Sequence, residues 1–122
     1  MKVMIVDDSR AMRMLLTGML EEMGITDLAQ AADGKEAIAQ LQKDPGFDLV
    51  LVDWNMPNMN GYELVQAVRQ DARLENTRLM MVTTETEMNQ VVKALEAGAN
   101  EYIMKPFTKE VIHEKMQILG LA

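Results

Sequence analysis

The chain has 122 residues and a mass of 13.7 kDa, which is the size of one domain, so we expect a single domain spanning residues 1–122. Twelve Lys and Arg residues against nineteen Asp and Glu residues give a net charge of −7, which argues against binding to nucleic acid or an anionic membrane. The chain has no cysteine, which excludes disulfides, thiolate catalysis and Cys-based zinc sites, and no apolar run is long enough to span a bilayer. These features predict a cytoplasmic protein.

In the first part of the chain, two short apolar runs alternate with two helical patterns. Residues 3–6 (VMIV) predict a buried strand, and Ser9 is placed to cap the helix that follows. Residues 28–31 (LAQA) give a weaker strand signal. Asp33, with Glu36 three residues later, then predicts a capping box at the start of the second helix.

The same alternation continues to the end of the chain. Residues 49–52 (LVLV) are the clearest buried strand, and Asn60 is placed to cap a third helix. Residues 79–82 (LMMV) and 102–104 (YIM) predict the fourth and fifth strands, and Thr108 is placed to cap the last helix. Apolar residues at helical spacing mark the two final helices, namely Met88, Val91, Val92 and Leu95, then Val111, Ile112, Met116 and Leu119.

Each predicted strand is followed by a predicted helix, which gives five strand–helix units with short links. This alternation is typical of α/β proteins, in which right-handed crossovers place helices on both faces of a parallel sheet. Ligands of such sheets bind beyond the carboxyl ends of the strands. The candidate functional residues are therefore those that directly follow each strand.

Charged and hydroxyl side chains follow four of the five strands. Asp7 and Asp8 follow the first strand, Asp53 the third, Thr83 the fourth and Lys105 the fifth. Three carboxylates and one ammonium carry a net charge of −2, which a divalent cation would neutralise. Hard oxygen ligands without His or Cys favour Mg²⁺, with Mn²⁺ as a possible substitute.

This set of side chains has the parts that phosphoryl transfer needs, because such catalysis rests on positioning and charge neutralisation. Asp53 is the best candidate for the nucleophile, since it follows the most buried strand and opens the most irregular loop. Asp7 and Asp8 would then hold the metal ion. Lys105 would pair with the phosphoryl oxygens, and Thr83 would donate a hydrogen bond to one of them.

Together, Asp7-Asp8, the stretch 53–61 (DWNMPNMNG), Thr83 and 105–107 (KPF) resemble the receiver domain of bacterial response regulators over the whole chain. The stretch 53–59 is similar in particular to the chemotaxis regulators of that family. The resemblance implies a flavodoxin-like, doubly wound sheet of five parallel strands in the order 2-1-3-4-5, with five helices on its two faces. It also implies a signalling switch, not an enzyme with a separate substrate.

For the site, the resemblance implies that a sensor histidine kinase phosphorylates Asp53. It makes Asp8 a direct metal ligand, Asp7 a largely water-mediated ligand and the backbone carbonyl of Asn55 a further ligand. It also implies a cis bond between Lys105 and the following proline.

For the output, the resemblance implies that Thr83 and Tyr102 form the switch pair. Their movement would reshape the face made by the fourth helix, the fifth strand and the last helix, where an output protein such as the flagellar motor switch would bind. Asn55 and Glu85 would tune how quickly water removes the phosphoryl group, with or without a separate phosphatase. Thr84 departs from the smaller residue usual in the family, so access to the site is expected to be narrower. The protein is expected to be monomeric.

The sequence disfavours three other functions. A calcium loop fails on spacing, because Asn58 and Leu64 stand where an EF-hand needs Gly and Glu. A phosphatase of the haloacid-dehalogenase kind lacks its general acid, because Asn55 stands two residues after the nucleophile. A flavodoxin-like electron carrier is disfavoured because Asp7-Asp8 would repel a flavin phosphate. A phosphate-shuttle receiver and a receiver cut from a longer regulator both stay open.

The sequence also predicts the surroundings of two further residues. Trp54 directly follows the candidate nucleophile within a loop, so we expect it to be partly exposed. His113 is expected on the surface of the last helix, without a role in phosphate transfer.

Overall fold

Five parallel strands form one sheet in the order β2-β1-β3-β4-β5, which confirms the predicted topology. The computed structural model describes residues 1–84 and 88–122. The strands are β1 Lys2–Val6, β2 Asp27–Ala31, β3 Leu49–Asp53, β4 Arg78–Thr83 and β5 Glu101–Met104. The helices are α1 Arg10–Glu22, α2 Gly34–Lys43, α3 Gly61–Arg69, α4 Met88–Ala97 and α5 Lys109–Ile118.

Two apolar cores lie on opposite faces of the sheet, because the central strands are buried on both sides. On one face, α1 and α5 contribute Leu16, Leu20, Ile112 and Met116. On the other face, α2, α3 and α4 contribute Ala37, Leu41, Leu64, Val65, Val68 and Ala94. The sheet is therefore a rigid support whose carboxyl edge projects between the two helical layers.

The starts of the helices follow the predicted capping residues, with one difference. Ser9 and Thr108 each accept a hydrogen bond from a backbone N–H in the first turn of their helix. The capping box at Asn60 is complete. Asp33 caps α2 by accepting from the N–H of Glu36. In a complete capping box the Glu36 carboxylate would accept from the N–H of Asp33, but here it accepts from the N–H of Ala32, one residue earlier.

The largest difference from the sequence predictions concerns Trp54. We expected a partly exposed indole, but Trp54 is only 8% exposed and belongs to the core under α2, α3 and α4. Its ring lies 6.1 Å from that of Tyr62, centroid to centroid, so α3 covers it. The expectation was wrong because the loop after β3 turns inward at this residue.

The outer faces of α4 and α5 are more apolar than their helical patterns indicated. Val92 and Ile118 are 59% and 63% exposed, and Leu95 and Val111 are also exposed.

A short 3₁₀ helix at Ala72–Leu74, which the sequence pattern did not predict, connects α3 to β4. Within the described ranges, no helix is both long and apolar enough to cross a membrane.

Candidate functional site

The strand register brings the predicted site residues to one edge of the sheet. Val6 lies opposite Val52 in the pairing of β1 with β3, so the next residues, Asp7 and Asp53, lie side by side. Thr83 ends β4 opposite Met104, the last residue of β5. The site therefore lies at the carboxyl ends of β3, β4 and β5 and at Asp7, the residue after β1, as the rule for open α/β sheets predicts.

Asp7 is a buried carboxylate with one satisfied and one unsatisfied oxygen. Its side chain is 2% exposed, and Oδ1 accepts from the backbone N–H of Ser9 at 2.8 Å. Oδ2 is buried without a hydrogen-bond partner among the described residues, and the nearest cation is Nζ of Lys105 at 4.0 Å. Burial is the largest cause of the raised pKa of Asp7. An unpaired buried carboxylate oxygen is costly, so this atom is a strong candidate ligand for a cation.

Asp53 lies beside Asp7 and is also buried, with 6% of its surface exposed. Burial, followed by the negative charge of Asp7, raises the pKa of Asp53 to about 6, although Lys105 acts in the opposite direction. Nζ of Lys105 donates to Oδ1 of Asp53 at 3.2 Å. The carboxylate is thus held in place by one ammonium and carries unfavourable charge that a second cation would relieve.

The donor set fits a hard divalent cation. Carboxylate oxygens from Asp7, Asp8 and Asp53 all lie within 4.8 Å of one another, and Asp8 is the exposed member of the group. A cation at their centre would satisfy the unpaired oxygen of Asp7 and reduce the repulsion between the carboxylates. Oxygen ligands with access from solvent match the preference of Mg²⁺, which keeps several of its waters.

Lys105 reaches the site from the loop after β5. Its backbone N–H donates to the carbonyl of Thr83 at 2.7 Å, and its bond to Pro106 is cis, as the resemblance implied. The ammonium reaches Oδ1 of Asp53 at 3.2 Å and Oδ2 of Asp7 at 4.0 Å. With a quarter of its side chain exposed, Lys105 can still meet a group arriving from solvent.

Of the two expected switch residues, Thr83 lies at the carboxyl end of β4 and Tyr102 lies further back along β5. Thr83 is fully buried, and its hydroxyl donates to the carbonyl of Thr84 at 3.3 Å. Tyr102 is half-buried on β5 opposite Met81, two residues before the level of Thr83. Asn55 is exposed in the loop after β3. Glu85 lies outside the described residues.

Two hydrogen bonds that support the site were not predicted from the sequence. Nη1 of Arg13 donates to the backbone carbonyl of Asp7 at 2.6 Å, which anchors α1 to the acidic edge. Asn58, in the left-handed region at a φ of 68°, donates through Nδ2 to Oδ2 of Asp33 at 2.8 Å. An Asn within an Asn-rich loop was a usable signal for the second contact, because Asn tolerates this conformation. The first contact had no local signal.

A glycine allows the loop to close over Asp53. A Cβ on Gly61 would lie 2.5 Å from the backbone carbonyl oxygen of Asp53 and 3.1 Å from Cα of Trp54. The N–H of Gly61 also donates to the carbonyl of Trp54 at 2.9 Å. Only a residue without a side chain permits α3 to begin this close to the site.

The chain matches the family model described as the response regulator receiver domain over residues 3–117. It is 43% identical to the chemotaxis protein CheY of Pseudomonas aeruginosa over 117 residues, covering 96% of this chain and 94% of that protein. It is 44% identical to a CheY homolog of Campylobacter jejuni over 121 residues, covering 98% and 93%. The solved structure of CheY4 from Vibrio cholerae superposes with a TM-score of 0.87 at 37% identity, covering 97% of both chains. These matches, together with the acidic edge of the sheet, show that the chain belongs to the response regulator receiver domain family, as a CheY-like member of two-component systems.

Proposed function

We propose that a histidine kinase phosphorylates this protein on Asp53, with Mg²⁺ held by Asp7, Asp8, Asp53 and the backbone carbonyl of Asn55. The observation that supports this most directly is the group of three carboxylates within 4.8 Å of one another. Lys105, 3.2 Å from Asp53, completes a site with both a nucleophile and cations to neutralise a transferred phosphoryl group. The whole of residues 1–122 would then serve as one receiver domain in the cytoplasm.

In the reaction, a carboxylate oxygen of Asp53 forms a new bond to phosphorus while the bond from phosphorus to the donor's leaving atom breaks. The leaving group takes up a proton, and Asp53 becomes an acyl phosphate. Mg²⁺, when bound, supplies positive charge to the phosphoryl oxygens. Lys105 is already paired with Asp53 and can transfer its hydrogen bond to a phosphoryl oxygen. The hydroxyl of Thr83 must leave the Thr84 carbonyl to donate to another.

The same site would remove the phosphoryl group by hydrolysis. The exposed position of Asn55, two residues after Asp53, suits a side chain that controls the approach of water. We assign the same role to Glu85 from the resemblance alone. Receiver domains are signalling switches rather than conventional enzymes, so both reactions serve to turn one signal on and off.

The output surface would be the face of α4, β5 and α5. Its exposed apolar side chains, which a partner could cover, are Val92, Leu95, Met104, Val111 and Ile118. Movement of Thr83 and Tyr102 would change this face after phosphorylation. Because the relatives described above are chemotaxis proteins, we propose the flagellar motor switch as the output partner of a monomeric protein.

Two alternatives keep the same chemistry but differ in output: a receiver that shuttles phosphate to another protein, and a receiver that controls further domains of a longer regulator. A phosphatase of the haloacid-dehalogenase kind is of a different class. Asn55 disfavours it, because an amide cannot protonate a leaving group. A test for release of inorganic phosphate from small phosphomonoesters separates this last class from the others.

The proposal is tested by incubating the protein with Mg²⁺ and acetyl phosphate and measuring its intact mass. We expect one added phosphoryl group, absent in Asp53→Asn and absent when EDTA removes the metal. Asp27→Asn, at an exposed position on β2, is the matched control and should accept phosphate normally. An adduct that persists in Asp53→Asn would place the chemistry on another residue.

A further inference from the structure

A small charged cluster surrounds Tyr102 on the edge strand β5. Oε1 of Glu101 accepts from the backbone N–H of Tyr102 at 3.0 Å and from Nζ of Lys115 at 3.0 Å. Lys115 lies on α5, and its Nζ is 4.9 Å from the centroid of the Tyr102 ring. One carboxylate oxygen thus links the backbone of Tyr102 to the ammonium that lies over its ring.

The surroundings make these contacts stronger than an ordinary surface pair. The side chains of Glu101 and Lys115 are 16% and 25% exposed, so water and salt screen their charges less than those of a fully exposed pair. An ammonium over an aromatic face is attracted by the negative charge density of the ring. If the Tyr102 ring moved away, it would lose this attraction, whereas the pair between Glu101 and Lys115 could remain.

The second tyrosine of the chain has a related contact in a different setting. Nζ of Lys93 lies 5.3 Å from the centroid of the Tyr62 ring. The Tyr62 ring also packs against the buried ring of Trp54, which lies in the core beneath α3. The pair of Tyr62 and Lys93 therefore provides an internal comparison for any effect of a cation on a ring.

We propose that Glu101 and Lys115 are positioning residues that hold the Tyr102 ring where the structure has it, and so set how readily that ring moves when Asp53 is phosphorylated. This inference rests on the proposed function, in which Tyr102 moves with Thr83. Glu101 and Lys115 act only through Tyr102. Loss of the ammonium is expected to shift the equilibrium between the two ring positions about threefold toward the moved one.

Fluorine NMR of protein labelled with 3-fluorotyrosine tests the positioning directly, because the chain has only two tyrosines. In the absence of any phosphodonor, Lys115→Met and Glu101→Gln should each shift the Tyr102 resonance and leave that of Tyr62 in place. Lys93→Met should do the reverse. Lys115→Arg keeps a cation over the ring and should retain most of the wild-type Tyr102 signal.

Titration of the same samples with acetyl phosphate at fixed Mg²⁺ tests the coupling. The concentration that gives half of the Tyr102 spectral change should fall about threefold in Lys115→Met, because less free energy is then needed to move the ring. Lys93→Met should respond at the wild-type concentration. Asp53→Asn should show no change at any concentration.

The outcomes separate this inference from the proposed function. A Tyr102 resonance that is unchanged in both Lys115→Met and Glu101→Gln overturns the positioning role, whether or not Asp53 accepts phosphate. A shifted resonance with an unchanged or higher half-response concentration overturns the coupling. If wild-type protein accepts no phosphate, the proposed function and the coupling fail together, while the spectra of the free protein still decide the positioning role.

Discussion

At the scale of single residues, Asp7 and Asp53 set the chemistry of the site because two buried carboxylates lie side by side with one ammonium between them. Oδ2 of Asp7 has no hydrogen-bond partner among the described residues, and the pKa of Asp53 is raised to about 6. Both features are costly for folding without a bound cation. A divalent cation at this edge would relieve both costs.

This cost predicts how stability depends on pH in metal-free protein. Asp53 has an ordinary pKa of 3.8, and in the folded state the pKa is about 6, so between these values the folded protein retains a proton that the unfolded chain has lost. The free energy of unfolding should therefore fall as the pH rises from about 4 to 6 and stay reduced above it. At pH 7.5, Asp53→Asn should be more stable than wild type by about 1–3 kcal/mol.

Urea unfolding in EDTA at several pH values measures this effect. Asp53→Asn should show a weaker fall in stability across the window, with the remainder due to Asp7, whose pKa is also raised. The exposed control Asp27→Asn should follow wild type. Equal stability of Asp53→Asn and wild type at pH 7.5 would contradict the argument.

Lys105 would compete with a divalent cation for the same carboxylates, since it lies 3.2 Å from Asp53 and 4.0 Å from Asp7. Lys105→Met should therefore bind Mg²⁺ more tightly by about three- to tenfold, because a nearby positive charge is removed. It should nevertheless accept phosphate from acetyl phosphate more slowly, because Lys105 would no longer pair with the phosphoryl oxygens.

The fluorescence of the single tryptophan, Trp54, which directly follows Asp53, provides the titration signal for Mg²⁺. Lys109→Met is the matched control, because Lys109 pairs with Glu22 at the surface and away from the carboxylates. Weaker Mg²⁺ binding by Lys105→Met than by Lys109→Met would show that Lys105 supports the metal site and does not compete with it.

At the scale of secondary-structure elements, the loop from β3 to α3 holds the backbone of Asp53 in place. Gly61 allows α3 to begin against the backbone of Asp53, and the capping box at Asn60 fixes the first turn. Asn58 then ties this loop to Asp33 at the start of α2. The irregular segment after Asp53 is thus held at both ends by hydrogen bonds.

A pair of glycine substitutions tests this close approach. Gly61→Ala places a Cβ 2.5 Å from the carbonyl oxygen of Asp53 and should destabilise the protein by about 2 kcal/mol. It should also alter Mg²⁺ affinity, because the backbone of Asp53 must shift. Gly18→Ala in α1 meets no atom within 4 Å and should stabilise the protein by about 0.5–1 kcal/mol.

Urea unfolding compares the two variants with wild type, and Mg²⁺ titration follows the site. If both substitutions had the same effect on the free energy of unfolding, the contact at Gly61 would not constrain the loop.

The elements show what local sequence can and cannot predict. The caps at Ser9, Asn60 and Thr108 were predictable because each depends on residues within one helical turn. The burial of Trp54 was not, because it depends on α3 closing over a loop whose path no nearby residue determines. The exposed apolar face of α4 was not predictable either, because an apolar residue at helical spacing gives the same sequence pattern whether it faces the core or solvent.

At the scale of the whole molecule, the two edges of the sheet have separate roles. The carboxyl edge holds the acidic site. At the opposite edge, Arg69 from the end of α3 holds the segments that precede β4 and β5. Its guanidinium donates to the carbonyl oxygens of Gly98, Leu74 and Thr77 and to Oδ1 of Asn100, at 2.8–3.0 Å. This residue connects α3 to the segments that precede β4 and β5.

Because the two edges are separate, stability and metal binding should respond independently. Arg69→Met should lower the free energy of unfolding by about 2–4 kcal/mol, because several acceptors lose their donor at once. Mg²⁺ affinity should stay within about twofold of wild type, since the contacts of Arg69 lie at the opposite edge of the sheet. Calorimetric titration with Mg²⁺ and urea unfolding give the two quantities.

Arg73→Met is the matched control, because Arg73 pairs with Asp71 at the surface, and its loss should change stability little. A large loss of Mg²⁺ affinity in folded Arg69→Met would contradict the separation of the two edges.

The acidic edge itself was predictable from sequence because parallel strands place the residues that follow them at one edge. Sequence alone could not predict the level of each residue along that edge. Register places Asp7 beside Asp53, and Tyr102 two residues before the level of Thr83. These offsets depend on strand pairing between distant parts of the chain, which no local pattern records.

We expect Asp53 to accept a phosphoryl group with the help of Mg²⁺. Borohydride converts an acyl phosphate to an alcohol, so treatment after incubation with acetyl phosphate and Mg²⁺ marks the modified residue permanently. Peptide mass spectrometry should then find homoserine at position 53 alone, only in samples that contained Mg²⁺. Homoserine at position 7 or 8, or an equal yield at position 53 in EDTA, would contradict the claim.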